Sequence, residues 1–346
     1  MKNLFLSLVV LMVTTMSFAQ NTLVATLSHG DNVKMFYGSS ALVNAVDAAE
    51  SGDVITLSGG TFLSTKITKG ITIRGNGATG TKPTIIGYNY NNTSIGIPQE
   101  DEKPFIMEGV KVNFFSGASY YPLYISGRSS NLYFLKCIIS VSNIEFSSGL
   151  AGEAKFVNCS LGSFTHTGAS TVKFTNCHVG GYTNGTTSSS KAEFFNCVLL
   201  GDPRATHQSS FINSIISYNN PSGSIIIPST VSAMNSVFIN CSLSNVVQRV
   251  DCTVLNLSDT QKIFETCNES KNQYGNIWYT PTSPYELTEE AKTTYLGTDG
   301  KEVGSYGGQY PYDLTPTYPR ITTMNVAKQT TADNKLSVEI EVSAIE

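Results

Sequence analysis

The chain has 346 residues, of which only 14% are charged, and its formal net charge is −4. This net charge, with no basic stripe in the sequence, argues against nucleic-acid binding, which needs clustered Lys and Arg. After the N-terminal apolar run, no segment approaches the roughly 20 apolar residues of a membrane span, so no transmembrane segment is expected in the mature chain.

Residues 1–19 have the pattern of a signal peptide. Lys2 precedes an apolar run from Leu4 to Val13, and the small residues Ser17 and Ala19 lie at the two positions that a signal peptidase reads. The pattern predicts cleavage between Ala19 and Gln20. We therefore expect a secreted, periplasmic or cell-surface protein.

Residues 20–52 are predicted to form an N-terminal cap. A short helix is expected from Ser39 or Ser40 through Glu50, because apolar residues recur at helical spacing at Leu42, Val43, Val46 and Ala49. The first coil of a solenoid exposes unpaired backbone and an apolar core, which natural proteins cover with such an element.

A four-residue motif recurs six times in the middle of the chain. Its copies begin at Phe134, Phe156, Phe174, Phe194, Phe211 and Phe238, and five of them end in Cys. The fourth positions lie 22, 18, 20, 17 and 27 residues apart. Self-similarity at an irregular period near 20 predicts an all-β fold, a right-handed parallel β-helix over residues 53–255.

The motif predicts two structural ladders along the solenoid. Strand alternation sends Phe and Cys inward, and Asn marks a turn, because Asn tolerates left-handed backbone and its amide can bond from coil to coil. The predicted ladder residues are Cys137, Cys159, Cys177, Cys197, Cys241, Asn158, Asn176, Asn196, Asn213 and Asn240. Lys136 stands where the first Asn would be, so that coil is expected to turn differently.

The cysteine ladder is expected to hold free thiols. In-register neighbours on adjacent coils lie about 4.8 Å apart, farther than the roughly 3.8 Å between Cβ atoms in a disulfide. Cys252 and Cys267 are predicted to lie outside the ladder, and whether they form a disulfide stays open.

Three segments carry a family resemblance: Ala41–Leu57, Gly70–Gly75 and Pro83–Gly87. In them the chain resembles the pectate-lyase-like family of right-handed parallel β-helices, from Ala41 to about Leu255. The resemblance implies the fold and makes glycans the leading ligand class. It does not imply a reaction, because this fold hosts many functions.

The C-terminal part has a different character. Residues 256–310 are rich in Tyr and are predicted to cap the last coil, with a capping box at Ser283–Glu286 that begins a helix through about Tyr295. Residues 311–346 are predicted to form a stiff linker, Pro311–Pro319, and a β-hairpin tail with strands at Thr322–Ala327 and Leu336–Ser343.

One loop brings an acid, a cation and a base together in sequence. Asp202, Arg204 and His207 are the candidate catalytic residues, although Gly-Asp-Pro is also ordinary turn chemistry. A hydrolase needs paired carboxylates, and a lyase needs a base and often Ca²⁺ held by several oxygens. The motif coils present neither pattern, so no metal or other cofactor is expected, with Ca²⁺ implied only if the protein is a lyase.

Lone polar residues in the coils have plainer interpretations. Lys173 beside Glu193 is expected to form an ordinary ion pair across two coils. His178 is predicted to face outward as a surface residue. Together with His166 it gives only a weak metal pattern, because no third ligand accompanies the pair.

Aromatic residues between the early coils are the candidate binding residues: Tyr88, Tyr90, Tyr120 and Tyr121. Flat rings on a flat sheet can stack on sugars, or they can plug the core beneath long loops. We expect an exported, non-catalytic protein whose partner is a polysaccharide or cell-surface glycan. The alternatives are a polysaccharide lyase or glycoside hydrolase, and a structural or adhesive stalk; the oligomeric state stays open.

Overall fold

The chain folds as a parallel β-solenoid, as the repeat predicts. The computed structural model describes residues 23–89, 94–96, 101–116, 119–126, 131–146, 153–166, 170–184, 190–201, 203–204, 208–218, 220, 223–265, 279–326 and 338–343. The predicted signal peptide lies outside these residues.

The N-terminal cap contains a hairpin as well as the predicted helix. Strands β1 (Val24–His29) and β2 (Asn32–Tyr37) are antiparallel, and β1 also pairs with the first strand of the solenoid. Helix α1 (Ala41–Ala48) buries Leu42 and Val46. Ser40 occupies its N-cap position without a side-chain capping hydrogen bond.

Sheet A forms one wall of the solenoid. After β2 and β1, its strands run parallel in chain order. They are β3 (Val54–Leu57), β5 (Thr72–Arg74), β8 (Phe105–Glu108), β13 (Asn131–Leu135), β16 (Glu153–Val157), β18 (Thr171–Thr175), β20 (Lys191–Phe195), β23 (Ser209–Ile212), β26 (Ser232–Met234) and β29 (Gln248–Val250).

Sheet B forms the second wall and follows sheet A in every coil. Its strands also stack parallel in chain order. They are β4 (Gly60–Leu63), β6 (Thr84–Gly87), β9 (Lys111–Asn113), β14 (Ile138–Ser140), β17 (Ser160–His166), β19 (His178–Asn184), β21 (Val198–Gly201), β24 (Ile215–Tyr218), β27 (Val237–Ile239) and β30 (Thr253–Leu255).

A third face closes part of the solenoid. It consists of β7 (Ser94–Gly96), β12 (Leu123–Ser126), β15 (Ile144–Phe146), the second halves of the long strands β17 and β19, and β22 (Pro203–Arg204). Two short pairs accompany it, β10 (Phe115–Ser116) with β11 (Ser119–Tyr120), and β25 (Ile225–Ile226) with β28 (Cys241–Ser242).

Stacked Phe rings fill the solenoid behind sheet A. The ring centroids of Phe156 and Phe174 are 5.3 Å apart, and those of Phe174 and Phe194 are 4.7 Å apart, with nearly parallel planes. Phe134 and Phe211 extend the stack at its two ends. Each of these rings is almost completely buried, so the stack forms a core that runs along the solenoid.

The corner between sheets A and B is a left-handed turn repeated from coil to coil. Asn158, Asn176, Asn196 and Asn213 have φ between 50° and 53°. Lys136 has φ 53°, so the first coil turns in the same way as the others, contrary to the prediction. The left-handed conformation is therefore kept where Lys replaces Asn, at some cost in free energy, because positive φ is unfavourable for Lys.

The sixth copy of the motif belongs to a different position in the coil. Phe238 lies in sheet B, where it pairs with Ile216, and the next turn of the ladder is formed by Asn235 (φ 45°) and Ser236. Asn240 and Cys241 were therefore wrongly assigned to the ladder. Inward-facing positions of sheet B also favour apolar side chains, so a Phe there can resemble the Phe of the motif in sheet A.

Cys252 is the ladder's last described member, contrary to the expectation that it lies outside. Val237 pairs with Thr253, which places Ser236 beside Cys252. Cys252 is a free thiol, as are Cys137, Cys159, Cys177, Cys197 and Cys241. Cys267, its suggested partner, falls outside the described residues.

The ladder thiols also satisfy buried backbone groups. The Cys137 N–H donates to Cys159 Sγ at 3.5 Å, and the Cys159 N–H donates to Cys177 Sγ at 3.4 Å. The Ser214 hydroxyl accepts the Cys197 N–H at 3.0 Å in the same way. Ser therefore fits this position because its hydroxyl accepts the same hydrogen bond.

Burial raises the pKa of Cys159 and Cys177 well above the ordinary value, so these thiols stay protonated.

The C-terminal region begins with a 3₁₀ turn (Leu257–Asp259) and helix α2 (Thr260–Ile263). The capping-box prediction is wrong: helix α3 spans Glu289–Thr294, and its N-cap is Thr288, whose hydroxyl accepts the Ala291 N–H. Tyr285 instead has φ 53° and is buried against sheet B.

Residues 279–319 form a strap along the side of the solenoid, where a cap over the last coil was predicted. The strap runs back past one coil after another. Its contacts are Leu296 to Asn235, Thr298 to Asn213, Ser305 and Gly307 to Asn176, Asp313 to Lys136, Thr317 to Glu108 and Tyr318 to Gly75.

The strap changes the role of the Asn corner. Asn176 Nδ2 donates to the Ser305 and Gly307 carbonyls at 2.7 and 2.8 Å, and Asn213 Nδ2 donates to the Thr298 hydroxyl. The predicted amide bonds between coils are thus replaced at these positions by bonds to the strap. The segment Pro311–Pro319, predicted to be a stiff linker, is part of the strap and contacts the coils through Asp313, Thr317 and Tyr318.

The tail forms the predicted hairpin. Strand β31 (Arg320–Val326) is antiparallel to β32 (Val338–Ser343), and the two form a separate sheet.

Candidate functional site

The outer surface of the third face carries an in-register row of polar and aromatic side chains. Alternation along the strands turns Ile144, Phe146 and Phe164 inward. The alternate residues, Glu145 and Thr165, therefore face outward. The row runs Ser94, Tyr124, Glu145, Thr165 and Thr183, each paired with the next across adjacent strands. From Ser94 to Thr183 it extends about 19 Å at the usual strand spacing.

The centre of this row is held by a hydrogen-bond network. Asn143 Nδ2 lies 2.9 Å from the Thr165 hydroxyl and donates to Glu145 Oε1 at 3.4 Å. All three residues are half-buried. The network presents carboxylate, amide and hydroxyl groups in fixed positions.

Tyr124 is the exposed aromatic residue of the row. Its side chain is 46% exposed, while its neighbours Leu123 and Ile125 are buried. Tyr124 thus provides a flat apolar surface next to the Glu145 carboxylate.

The predicted binding residues take a different position. Tyr88 and Tyr121 stack on each other with ring centroids 4.1 Å apart, and both pack partly against the core. They serve at least in part to fill the corner between sheet B and the third face. Tyr90 and the side chain of Tyr120 lie outside what the structure describes.

The predicted catalytic loop meets the third face at its far end. The Arg204 backbone is in register with Thr183, the last described residue of the row. Asp202, His207 and the Arg204 side chain fall outside the described parts of the chain. Within the described strands of the third face, Glu145 is the only carboxylate.

His166 and His178 are both buried, and they make separate contacts. His178 was expected on the surface, but the strap covers it: its Nε2 lies 2.7 Å from the Ser305 hydroxyl and its ring stacks on Tyr312. Burial lowers the pKa of His178 to about 3 and that of His166 to about 4. His166 instead contacts the Ser170 hydroxyl at 2.9 Å.

No group of three metal-ligating side chains occurs among the residues that the structure describes.

The outer face of sheet A carries ion pairs. Lys155 lies 2.8 Å from Glu153, and Lys173 bridges Glu153 and Glu193. Partial burial opposes ionisation of Glu153, but hydrogen bonds from Lys155 and Lys173 outweigh it, so its pKa is lowered. Exposed pairs of this kind contribute about 0–1 kcal/mol.

Sequence reasoning missed Tyr124, Asn143, Glu145, Thr165 and Thr183 as a group. A signal for part of it was present: an aromatic residue followed by Thr stands five residues after Cys159 and again five residues after Cys177. The other coils carry insertions at this point, which hide the register.

Comparisons with known proteins add no family assignment. No protein-family model matches the chain, and a search of curated proteins finds no significant match. Over the described residues, no helix has both the length and the apolar character needed to span a membrane.

Proposed function

We propose that this protein is an exported, non-catalytic β-helix protein that binds a glycan along its third face, at the cell surface or outside the cell. The observation that carries the proposal is the in-register row from Ser94 to Thr183 with Tyr124 exposed within it. The resemblance of the chain to pectate-lyase-like β-helices supports glycans as the ligand class.

The chemistry of the row suits sugars. The Tyr124 ring can stack on the apolar face of a pyranose. Glu145 accepts hydrogen bonds from hydroxyl groups, and Asn143, Thr165 and Thr183 both donate and accept them. A row about 19 Å long fits an extended oligosaccharide lying along the solenoid axis better than a single sugar.

Binding is favoured over catalysis because Glu145 has no described carboxylate partner on this face, whereas most glycosidases use two. The competing function is a polysaccharide lyase or glycoside hydrolase that uses Asp202, Arg204 and His207 of the predicted catalytic loop, with Ca²⁺ if it is a lyase. A third candidate function is that of a structural or adhesive stalk.

The test is a panel of neutral and acidic oligosaccharides, measured for binding by calorimetry. We expect Tyr124→Ala to weaken the best ligand about tenfold, which corresponds to about 1.4 kcal/mol. The matched control is Phe195→Ala, because Phe195 is an exposed aromatic on sheet A, away from the row. This control is expected to bind as the wild type does.

The same panel is assayed for unsaturated or reducing-end products, with and without Ca²⁺. Product formation that Asp202→Ala abolishes would replace the proposal by the enzyme. Equal losses in Tyr124→Ala and Phe195→Ala, or no binding to any member of the panel, would contradict it.

A further inference from the structure

Strand β2 at the N-terminal end of sheet A has an inverted polarity pattern. Its residues Lys34 and Phe36 pair with the buried Leu27 and Ala25, so they lie on the inner side of the sheet. Val33, Met35 and Tyr37 therefore face outward, and each is more than half exposed. Among the described residues, β2 pairs only with β1 and leaves its other edge open.

An open edge with exposed apolar residues is a site for strand pairing. Natural proteins protect such edges with charge, and β2 has only Lys34 for this purpose.

Strand β32 in the tail has a matching pattern. Ile340 and Val342 are more than half exposed, and they alternate with the exposed residues Glu339 and Glu341. The described tail is a separate two-stranded sheet, and an isolated hairpin is only marginally stable in water. In the part of the chain that the structure describes, both β2 and β32 thus expose a row of apolar side chains.

We propose that β32 of one chain pairs antiparallel with β2 of a second copy, extending sheet A by the tail hairpin. With Met35 opposite Ile340, Val33 meets Val342 on the apolar side. Lys34 meets Glu341 on the other side. Directly opposed apolar and opposite-charge pairs are the contacts that stabilise neighbouring strands, and strand addition supplies the backbone bonds.

The position of the strap favours a second copy over the same chain. The Tyr318 hydroxyl donates to the Gly75 carbonyl, directly after β5, which lies three strands from β2 in sheet A. Only Pro319 separates Tyr318 from β31, so little free chain remains to move β32 onto its own β2. The tail thus starts toward the same end of sheet A as β2, and a two-fold axis at that end lets each tail reach the other chain, so that the dimer closes.

The test uses two full-length single variants, Met35→Cys and Ile340→Cys, mixed and treated with a short bismaleimide cross-linker. We expect a product of twice the chain mass on denaturing gels. The matched control replaces Met35→Cys by Lys191→Cys, an exposed position in the middle of sheet A. Neither that mixture nor the wild type, with its own cysteines, is expected to give the product.

Light scattering on the full chain gives a second readout. The wild type is expected to be a dimer, and Met35→Glu, which places a carboxylate in the apolar row, is expected to be a monomer. A monomeric wild type would overturn the proposal. So would cross-linking within one chain in the double variant Met35→Cys/Ile340→Cys when the mixed single variants give none.

Discussion

Phe194→Ala is expected to lower the free energy of unfolding by about 3–5 kcal/mol, the usual cost of removing a large buried aromatic side chain. The Phe194 ring lies between those of Phe174 and Phe211, at 4.7 and 4.9 Å, and is almost fully buried. Its removal leaves a cavity that stacked neighbours on a rigid coil cannot close. Urea denaturation measures the effect.

Phe195, the next residue in the same strand, is the matched control. It faces outward and is 40% exposed, so Phe195→Ala is expected to cost less than about 1 kcal/mol. Comparable losses in the two variants would mean that the inward and outward sides of sheet A have been assigned wrongly.

Asn176→Ala is expected to cost about 3–4 kcal/mol from two separate causes. Ala at φ 50° is strained by about 1–2 kcal/mol, and two buried hydrogen bonds to the strap, each worth about 1 kcal/mol, are lost. Thermal and urea unfolding of the variant measure the total.

Asn176→Gly separates the two causes, because Gly tolerates the left-handed turn but makes no bond to Ser305 or Gly307. It is expected to lose only the hydrogen-bond part. Asn158→Ala, at φ 53° and with no partner for its buried Oδ1, is expected to lose mainly the backbone part. If Asn176→Gly were as stable as the wild type, the strap would not be held by these bonds.

The central coils were predictable because each rung repeats the same local physics. Phe156, Phe174 and Phe194 share one position since a parallel stack places like side chains over each other. Asn at the corner follows from its tolerance of left-handed backbone. In the coil that contains Ser236 the motif cannot be recognised, because Ala233 stands at the Phe position. A sequence that resembles the motif occurs one strand later, at Phe238.

The strap was not predictable from local pattern. Its contacts, such as Thr317 with Glu108, join residues 209 positions apart, and nothing in the Tyr-rich composition distinguishes a lateral strap from an end cap. His178 was misjudged for the same reason: strand alternation gives its direction correctly, but only the docked strap decides that it is buried.

The third face was missed because its rungs are interrupted. Tyr124 and Glu145 are in register across adjacent strands, yet they are 21 residues apart in a chain whose loops vary in length. Pairing across a sheet brings together side chains that no short motif links, so only the strand register defines this row of residues.

The most direct test of glycan binding on the third face is hydrogen exchange with and without the best ligand of the panel. Binding along the row predicts slower exchange in Leu123–Ser126, Ile144–Phe146 and Ser160–His166, with no change in Lys191–Phe195 of sheet A. Slower exchange confined to sheet A, or none in the third face at saturating ligand, would contradict the assignment.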